Sequence, residues 1–598
     1  MREFSLPALY EVPADGNLTD IVRRNAAQHP DVAVMARKVS GRWQDVTATQ
    51  FAAEVRAAAK GLIASGVQPG DRVGLMSRTR YEWTLLDFAI WSAGAVTVPV
   101  YETSSPEQVQ WILSDSGATA CIVELDGHAA ALEEIREALP ALKNVWQIEA
   151  GGLEELGRLG QDVADETVEE RSSIAKADDA ATIVYTSGTT GRPKGCVLTH
   201  RSFFAECGNI VERLRPLFRT GECSVLLFLP LAHVFGRLVQ IAPMIAPIKL
   251  GCVPDIKNLT DELAAFRPTL ILGVPRVFEK VYNSARAKAQ ADGKGKIFDK
   301  AADTAIAYSK ALDTPSGASF GLKLKHKVFD KLVYSKLRTV LGGRGEFAIS
   351  GGAPLGERLG HFFRGIGFTV LEGYGLTESC AATAFNPWDR QKIGTVGQPL
   401  PGSVVRIADD GEVLLHGEHL FKEYWNNPGA TAEALADGWF HTGDIGTLDE
   451  DGYLRITGRK KEIIVTAGGK NVAPAVIEDR IRAHALVAEC MVVGDGRPFV
   501  GALVTVDEEF LGRWAAEHGK PAGSTAASLR EDADLLAAIQ SAVDDGNAAV
   551  SKAESVRKFR ILSSQFTEES GHLTPSLKLK RNVVAKDYAA EIEAIYAK

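Results

Sequence analysis

At 598 residues the chain is too long for one hydrophobic core, so two or more domains are expected, and its 45% hydrophobic and 24% charged composition is that of an ordinary soluble globular protein. A formal net charge of -9 disfavours nucleic acid as a general partner, because phosphate backbones demand a basic surface. The seven cysteines form no C-x-x-C pair, which points to free thiols in a reducing cytosol rather than a disulfide framework or a zinc site. Met1 to Tyr10 lacks the basic and apolar blocks of a secretory signal. The most apolar stretch, Val225 to Val253, is interrupted by His233, Arg237 and prolines, so any membrane contact is expected to be peripheral.

In chain order, Phe51, Val55, Ala58 and Leu62 mark one face of a helix that Gly66 ends. Pro69-Gly70-Asp71 turns the chain, Arg72 to Met76 reads as a strand, Tyr81 to Ala93 as a helix and Val96 to Val100 as a buried strand. This alternation predicts an α/β protein with a mainly parallel sheet covered by helices. After the apolar strand Thr182 to Tyr185 comes Tyr185-Thr-Ser-Gly-Thr-Thr-Gly-Arg-Pro-Lys-Gly195. Its glycines let backbone N–H groups converge on phosphate oxygens, with hydroxyls from Thr186, Ser187, Thr189 and Thr190 and a point charge from Lys194. The spacing is not that of a Walker A loop, since Lys194 is flanked by Pro193 and Gly195. An ordinary Ser/Gly-rich surface loop is the alternative.

Between about residues 284 and 344 a basic insertion departs from the acidic balance, with Lys288, Lys294, Lys323, Lys325, Lys327, Lys331 and Lys336 interleaved with Ile297, Phe298, Phe320, Phe329 and Leu332. Helices with one apolar face either pack on the protein or touch an anionic bilayer, and both readings stay open here. Strand Phe347 to Ser350 leads into Gly351-Gly352-Ala353-Pro354, and further blocks follow at Glu372-Gly-Tyr-Gly-Leu-Thr-Glu-Ser379, Thr442-Gly-Asp444, Gly458-Arg-Lys-Lys-Glu462 and Leu573-Thr-Pro-Ser-Leu-Lys578. Past Gly458 the pattern becomes a compact α+β unit: strands Tyr453 to Thr457 and Glu462 to Val465, a short helix after Pro474, then strands Ala488 to Val493 and Phe499 to Thr505.

These blocks, in this order and over nearly the whole chain, resemble the adenylate-forming enzymes: acyl-CoA synthetases, adenylation domains of peptide synthetases and firefly-type luciferases. The resemblance implies an N-terminal domain over 1–458, including a distorted β-barrel, and a mobile lid over 459–598 hinged at Lys461, although an exposed basic turn would read the same. It implies ATP, Mg²⁺ and coenzyme A as ligands. Thr186, Ser187, Gly188, Thr189, Thr190, Gly191 and Lys194 would hold the β- and γ-phosphates, with Thr377 also on phosphate and Glu378 on Mg²⁺. Tyr374 between Gly373 and Gly375 would face adenine, opposite Gly351, Gly352 and Ala353. Asp444 would take the ribose hydroxyls with help from Arg459. Lys578 would bridge the substrate carboxylate and the α-phosphate, with Lys580 as the neighbouring candidate. Gly468 and Gly469 would line the pantetheine path. As lone residues, Tyr374, Asp444 and His233 would otherwise read as a core tyrosine, a turn former and a satisfied core histidine.

Within that superfamily, Leu229-Pro-Leu-Ala-His-Val-Phe-Gly-Arg237 and Gly273-Val-Pro-Arg-Val-Phe-Glu-Lys280 resemble the long-chain fatty acyl branch, which places His233 near the substrate carboxylate. Arg237 stands where some relatives carry a gate tryptophan. The expected activity is formation of acyl-CoA from a long-chain fatty acid through acyl-AMP. The alternatives are an acyl-AMP ligase serving a carrier protein, or a non-catalytic nucleotide- or acyl-binding module. Monomer and homodimer are both left open, and the expected location is cytoplasmic, with contact at the inner face of the membrane left open.

Overall fold

The computed structural model describes residues 1–186, 192–254, 258–574 and 577–597. Helix Ala48–Ala64 begins at Thr47, whose hydroxyl accepts from the Gln50 N–H while the Gln50 side chain accepts from the Thr47 N–H at 2.9 Å. It buries Phe51, Val55, Ala58 and Leu62, and beyond it Gly66 takes a φ of +91°, the left-handed turn that closes the helix. Strands Arg72–Met76 and Val96–Val100 then pair in parallel, and the helix between them, Tyr81–Ser92, is buried on every side.

These strands sit inside a seven-stranded sheet in which the hairpin Ala180–Thr186 with Lys194–Thr199, covered at the sheet edge by strand Glu423–Tyr424, flanks the predicted phosphate loop. A nine-stranded sheet sets Ser224–Leu227, Lys249–Cys252, Leu270–Gly273, Phe347–Ser350 and Thr369–Tyr374 side by side in parallel. Helices cover these sheets, and one continuous core joins residues from Leu18 to Leu454. A third sheet of five antiparallel strands is ordered Glu3–Ser5, Ser403–Ile407, Glu412–Gly417, Phe440–Leu448, Leu454–Arg459.

Beyond Arg459 a separate core begins at Ile464, around a three-stranded sheet of Val487–Val493, Val500–Val506 and Val556–Ile561. The strand expected from Glu462 starts only at Ile464, because Lys460–Glu462 winds into one 3₁₀ turn. Its three charged side chains stay at the surface there, whereas a strand would turn alternate ones inward. Among the described residues no helix is long and apolar enough to cross a membrane.

Candidate active site

Three sets of elements meet at one cleft. The first is a strand pair. The register sets Asp444 opposite Arg459, and directly opposed residues share a face of the sheet. The Arg459 Nε lies 3.1 Å from Asp444 Oδ1, and the Tyr374 hydroxyl donates to Oδ2 at 2.6 Å. Burial and the adjacent carboxylate push the Tyr374 phenol far above its ordinary pKa, so it remains a donor. The bulge in strand Phe440–Leu448 that presents Asp444 is held in its own right: Gly443 N–H donates to Glu412 at 2.8 Å and Asp444 N–H to the Thr442 hydroxyl at 3.0 Å. Glu412 in turn accepts from Lys460 at 3.1 Å. A carboxylate has about four acceptor positions, so Asp444 keeps capacity for a further pair of hydroxyl donors.

The second set forms the phosphate end. Thr186 pairs with Lys194 across the hairpin, while Ser187, Gly188, Thr189, Thr190 and Gly191 lie outside the described residues. Lys194 Nζ stands 4.8 Å from the centre of the Tyr424 ring, and the Tyr424 hydroxyl donates to Glu378 Oε1 at 2.6 Å. Tyr424 therefore ties the predicted phosphate lysine to the predicted metal carboxylate. Thr377 and Glu378 occupy a single 3₁₀ turn directly after strand Thr369–Tyr374, so one strand end delivers Tyr374 to the nucleoside side and Glu378 to the phosphate side. Gly375 between them is required by the chain's own path. A Cβ there would sit 1.8 Å from the Ala381 carbonyl oxygen, so the missing side chain makes room for backbone as well as for any ligand.

The third set arrives from the separate core beyond Arg459. Lys578 lies immediately before Leu579, which forms an isolated bridge with Leu573, and its N–H donates to the Thr574 hydroxyl at 3.0 Å. Its ammonium is within electrostatic range of Arg459, Asp444, Glu378 and Glu462, and also of His233 across the cleft. Although Lys578 is solvent-accessible, it sits amid dense protein mass, and burial together with the Arg459 charge lowers its pKa from the ordinary lysine value.

His233 caps helix Val234–Ile245, with Nδ1 accepting from the Phe235 N–H at 3.1 Å. Burial drives its pKa down to about 3, so the ring is neutral and the proton resides on Nε2, leaving that nitrogen a donor. Two residues on, the Phe235 ring packs on Gly351, the first residue after strand Phe347–Ser350, where a Cβ would lie 3.4 Å away. Gly352 follows with φ +84°, and Ala353 completes the turn. Gly351, Gly352 and Ala353 thus lie beside the start of the His233 helix.

Tyr374, Glu378, Asp444, Arg459, Lys194, Lys578 and His233 are brought together; Lys461, Gly468 and Gly469 are not. Lys461 is exposed in the 3₁₀ turn, and both glycines are exposed at the tip of the hairpin Ile464–Val465 with Asn471–Val472. That tip is fixed from within the same C-terminal unit, Ala467 N–H donating to Arg497 O at 2.9 Å, and a Cβ at Gly469 would meet nothing within 4 Å.

Sequence reasoning missed a buried layer beneath the site. Arg237 and Asp87 form a fully buried ion pair at 2.8 Å, Gln240 donates to the same carboxylate at 2.9 Å, and the guanidinium lies 5.0 Å from the Trp83 ring and 5.4 Å from the Trp91 ring. Burial raises the Asp87 carboxyl's pKa, which the guanidinium opposes. Glu206, in the π-turn Phe204–Gly208, is also fully buried and accepts from Ala382 N–H; burial raises its pKa well above the carboxylate range. Cys380 and Ala381, just before that N–H, take φ of +62° and +128°, strained values for residues with a Cβ.

Among the described residues no three His, Cys, Asp or Glu side chains converge on a metal position. Glu378 offers a single carboxylate, and one carboxylate completed by phosphate oxygens and water is a donor set Mg²⁺ favours. The residues therefore fit a Mg²⁺ carried by nucleotide phosphates rather than one caged by protein.

The family profile described as AMP-binding enzyme matches residues 22–425, and that described as AMP-binding enzyme C-terminal domain matches residues 461–598. The chain is 52% identical, over 100% of both chains, to the long-chain-fatty-acid–CoA ligase FadD15 of Mycobacterium bovis, and 51% identical over the same span to that of Mycobacterium tuberculosis. Among solved structures it is similar to the A domain of a carboxylic acid reductase from Segniliparus rugosus, in complex with AMP and a co-purified carboxylic acid, with a TM-score of 0.73 at 19% identity over 98% of this chain and 94% of that one.

Proposed function

This chain belongs to the AMP-binding enzyme family, and from that premise we infer that it is a long-chain fatty acid:CoA ligase. In the first half-reaction a carboxylate oxygen attacks the α-phosphorus of ATP, the bond to the β-phosphate oxygen breaks, and acyl-AMP and pyrophosphate form. In the second, the CoA thiol gives up its proton, its sulfur attacks the acyl carbon, and the C–O bond to AMP breaks to leave the thioester. The observation that carries this reading is the arrival of a lid lysine, Lys578, at a cleft where Asp444 and Glu378 already stand.

Each residue has a role that its chemistry supports. Asp444 accepts the ribose hydroxyls while Arg459 and Tyr374 hold its carboxylate in place, and the Tyr374 face takes adenine against Gly351, Gly352 and Ala353. Thr186 to Lys194 and Thr377 hold phosphate oxygens. Mg²⁺, held through Glu378, would neutralise charge on those oxygens. Lys578 stabilises the negative charge that accumulates around the α-phosphorus. His233 donates from Nε2 to the substrate carboxylate. For the second step the lid, 459–598, turns at Lys461 so that Gly468 and Gly469 admit the pantetheine arm. We place the protein in the cytoplasm, with peripheral contact at an anionic membrane.

Incubation with ATP, Mg²⁺ and carboxylates of graded length, with and without CoA, followed by mass identification of products, tests the reading. Acyl-CoA from long-chain acids is the expected product. Acyl-AMP that CoA does not consume would instead mark a ligase serving a carrier protein, and the absence of both would leave a binding module.

A further inference from the structure

The basic insertion presents an unpartnered apolar stripe. Helix Phe320–Phe329 continues through the π-turn Asp330–Tyr334 into Ser335–Val340. One face is anchored: the His326 ring stacks 3.9 Å from Tyr308 and its Nε2 meets Gly365 O at 2.6 Å, Tyr334 donates to Ala301 O at 2.7 Å, and Phe329 and Val333 pack on the core. The opposite face carries Phe320, Leu324, Val328 and Leu332, four residues apart and 83%, 56%, 50% and 55% exposed. Four large apolar side chains in one line are not the scattered singles of an ordinary surface.

Charge identifies the occupant. Lys323, Lys327 and Lys331 run alongside the stripe at the same spacing, and all are exposed. From Phe320 to Val340 five lysines and one arginine stand against one aspartate, a net of plus five within a chain of net charge -9. The single acid, Asp330, is engaged by Arg338 at 2.8 Å. A line of apolar side chains one helix wide, edged by cations, suits shallow insertion parallel to an anionic bilayer, with the lysines at headgroup level.

We propose that the face formed by Phe320, Leu324, Val328 and Leu332 docks this enzyme on anionic lipid bilayers. This deepens the ligase reading, because a long-chain acid partitions into the membrane and docking would set the enzyme at its substrate. The docking itself is measured without turnover, so failure of either idea is separately visible.

The test is flotation of the full chain with vesicles of phosphatidylglycerol and phosphatidylcholine in equal parts, or of phosphatidylcholine alone. The wild type floats with the anionic vesicles and is released by about 0.5 M salt, where the screening length falls to a few ångströms. The variant Phe320→Ser/Leu324→Ser/Val328→Ser loses about tenfold or more in partitioning at low salt, from the removed apolar contact. Lys323→Glu/Lys327→Glu/Lys331→Glu loses binding to anionic vesicles. Both variants keep wild-type thermal stability and turnover of a water-soluble medium-chain acid. The proposal is overturned if the wild type stays unbound, binds both vesicle types alike regardless of salt, or floats equally after either triple substitution. It is also overturned if the wild type is a dimer that the serine variant splits without any change in flotation.

Discussion

At the proposed nucleoside end of the cleft, Asp444 and Arg459 face each other across adjacent strands, and the bulge at Asp444 is fixed by Thr442 and Glu412. At the phosphate end, Glu378 sits in a single 3₁₀ turn, Lys194 at the root of a loop, and Lys578 comes from a hairpin in a different core. The first end is assembled within one core, whereas the second draws residues from two. On the proposed function, nucleoside binding rests on one core and chemistry at the α-phosphorus on two, so a movement of one core against the other would alter the second end alone.

Substitutions separate the two ends. Lys578→Ala should have the largest effect: loss of one preorganised charge at a developing negative centre costs roughly 10²–10³ in rate, read as pyrophosphate release with fatty acid and ATP. Asp444→Ala should come next, at about tenfold to hundredfold, the range of one or two charge-assisted hydrogen bonds. Because it removes an anchor common to both half-reactions, it should appear in the KM for ATP and also in turnover of supplied acyl-AMP. An effect confined to pyrophosphate release would merge the two ends. Glu378→Ala should cost roughly tenfold at limiting Mg²⁺ through loss of one charged ligand, and excess Mg²⁺ should restore part of it. Near-normal rates at limiting Mg²⁺ would remove Glu378 from the phosphate end.

The last effect is on stability rather than rate and concerns the strand that feeds both ends. Glu372, buried at the end of Thr369–Tyr374, accepts from Leu355 N–H at 2.9 Å, and burial raises its pKa to about 7. Between its ordinary value and 7 the folded state holds a proton that the unfolded state releases, so this group's contribution falls as pH rises through that window and stays unfavourable above it. Glu372→Gln keeps an acceptor for Leu355 and should raise stability by about 2–3 kcal/mol at pH 8, with the gain vanishing near pH 4.5. Denaturant melts at both pH values read it.

Local pattern explains why much of this was legible in the chain. Phe51, Val55, Ala58 and Leu62 bury one helix face as their spacing predicts, and the parallel pairing of Arg72–Met76 with Val96–Val100 follows from the strand-helix-strand rhythm. Tyr374, Glu378, Asp444, Arg459 and Lys578, which the fold brings together, were singled out because each lies in a short block of distinctive residues. The strand expected to begin at Glu462 begins only at Ile464, because Glu462 closes a 3₁₀ turn that the periodicity of so short a charged stretch does not signal. Asp87 with Arg237, and Glu206 with Ala382, were invisible: each pairing joins positions at least 150 apart, and nothing local to any of them signals burial. Tyr424 was passed over for the same reason, since its link to Glu378 and Lys194 exists only once the strands are assembled.

The central claim is that one lid serves two half-reactions from opposite faces, Lys578 in the first and the Gly468–Gly469 tip in the second. Gly468→Trp tests it cleanly, because Gly468 has no positive φ and a Cβ there would meet only the Thr466 hydroxyl, at 3.9 Å. Lys578→Ala and Gly468→Trp should be assayed side by side for pyrophosphate release from fatty acid and ATP, and for acyl-CoA formation from synthetic acyl-AMP and CoA. The account predicts a crossed result: Lys578→Ala fails the first assay and passes the second, while Gly468→Trp passes the first and slows the second. Loss of the same half-reaction in both variants would contradict it.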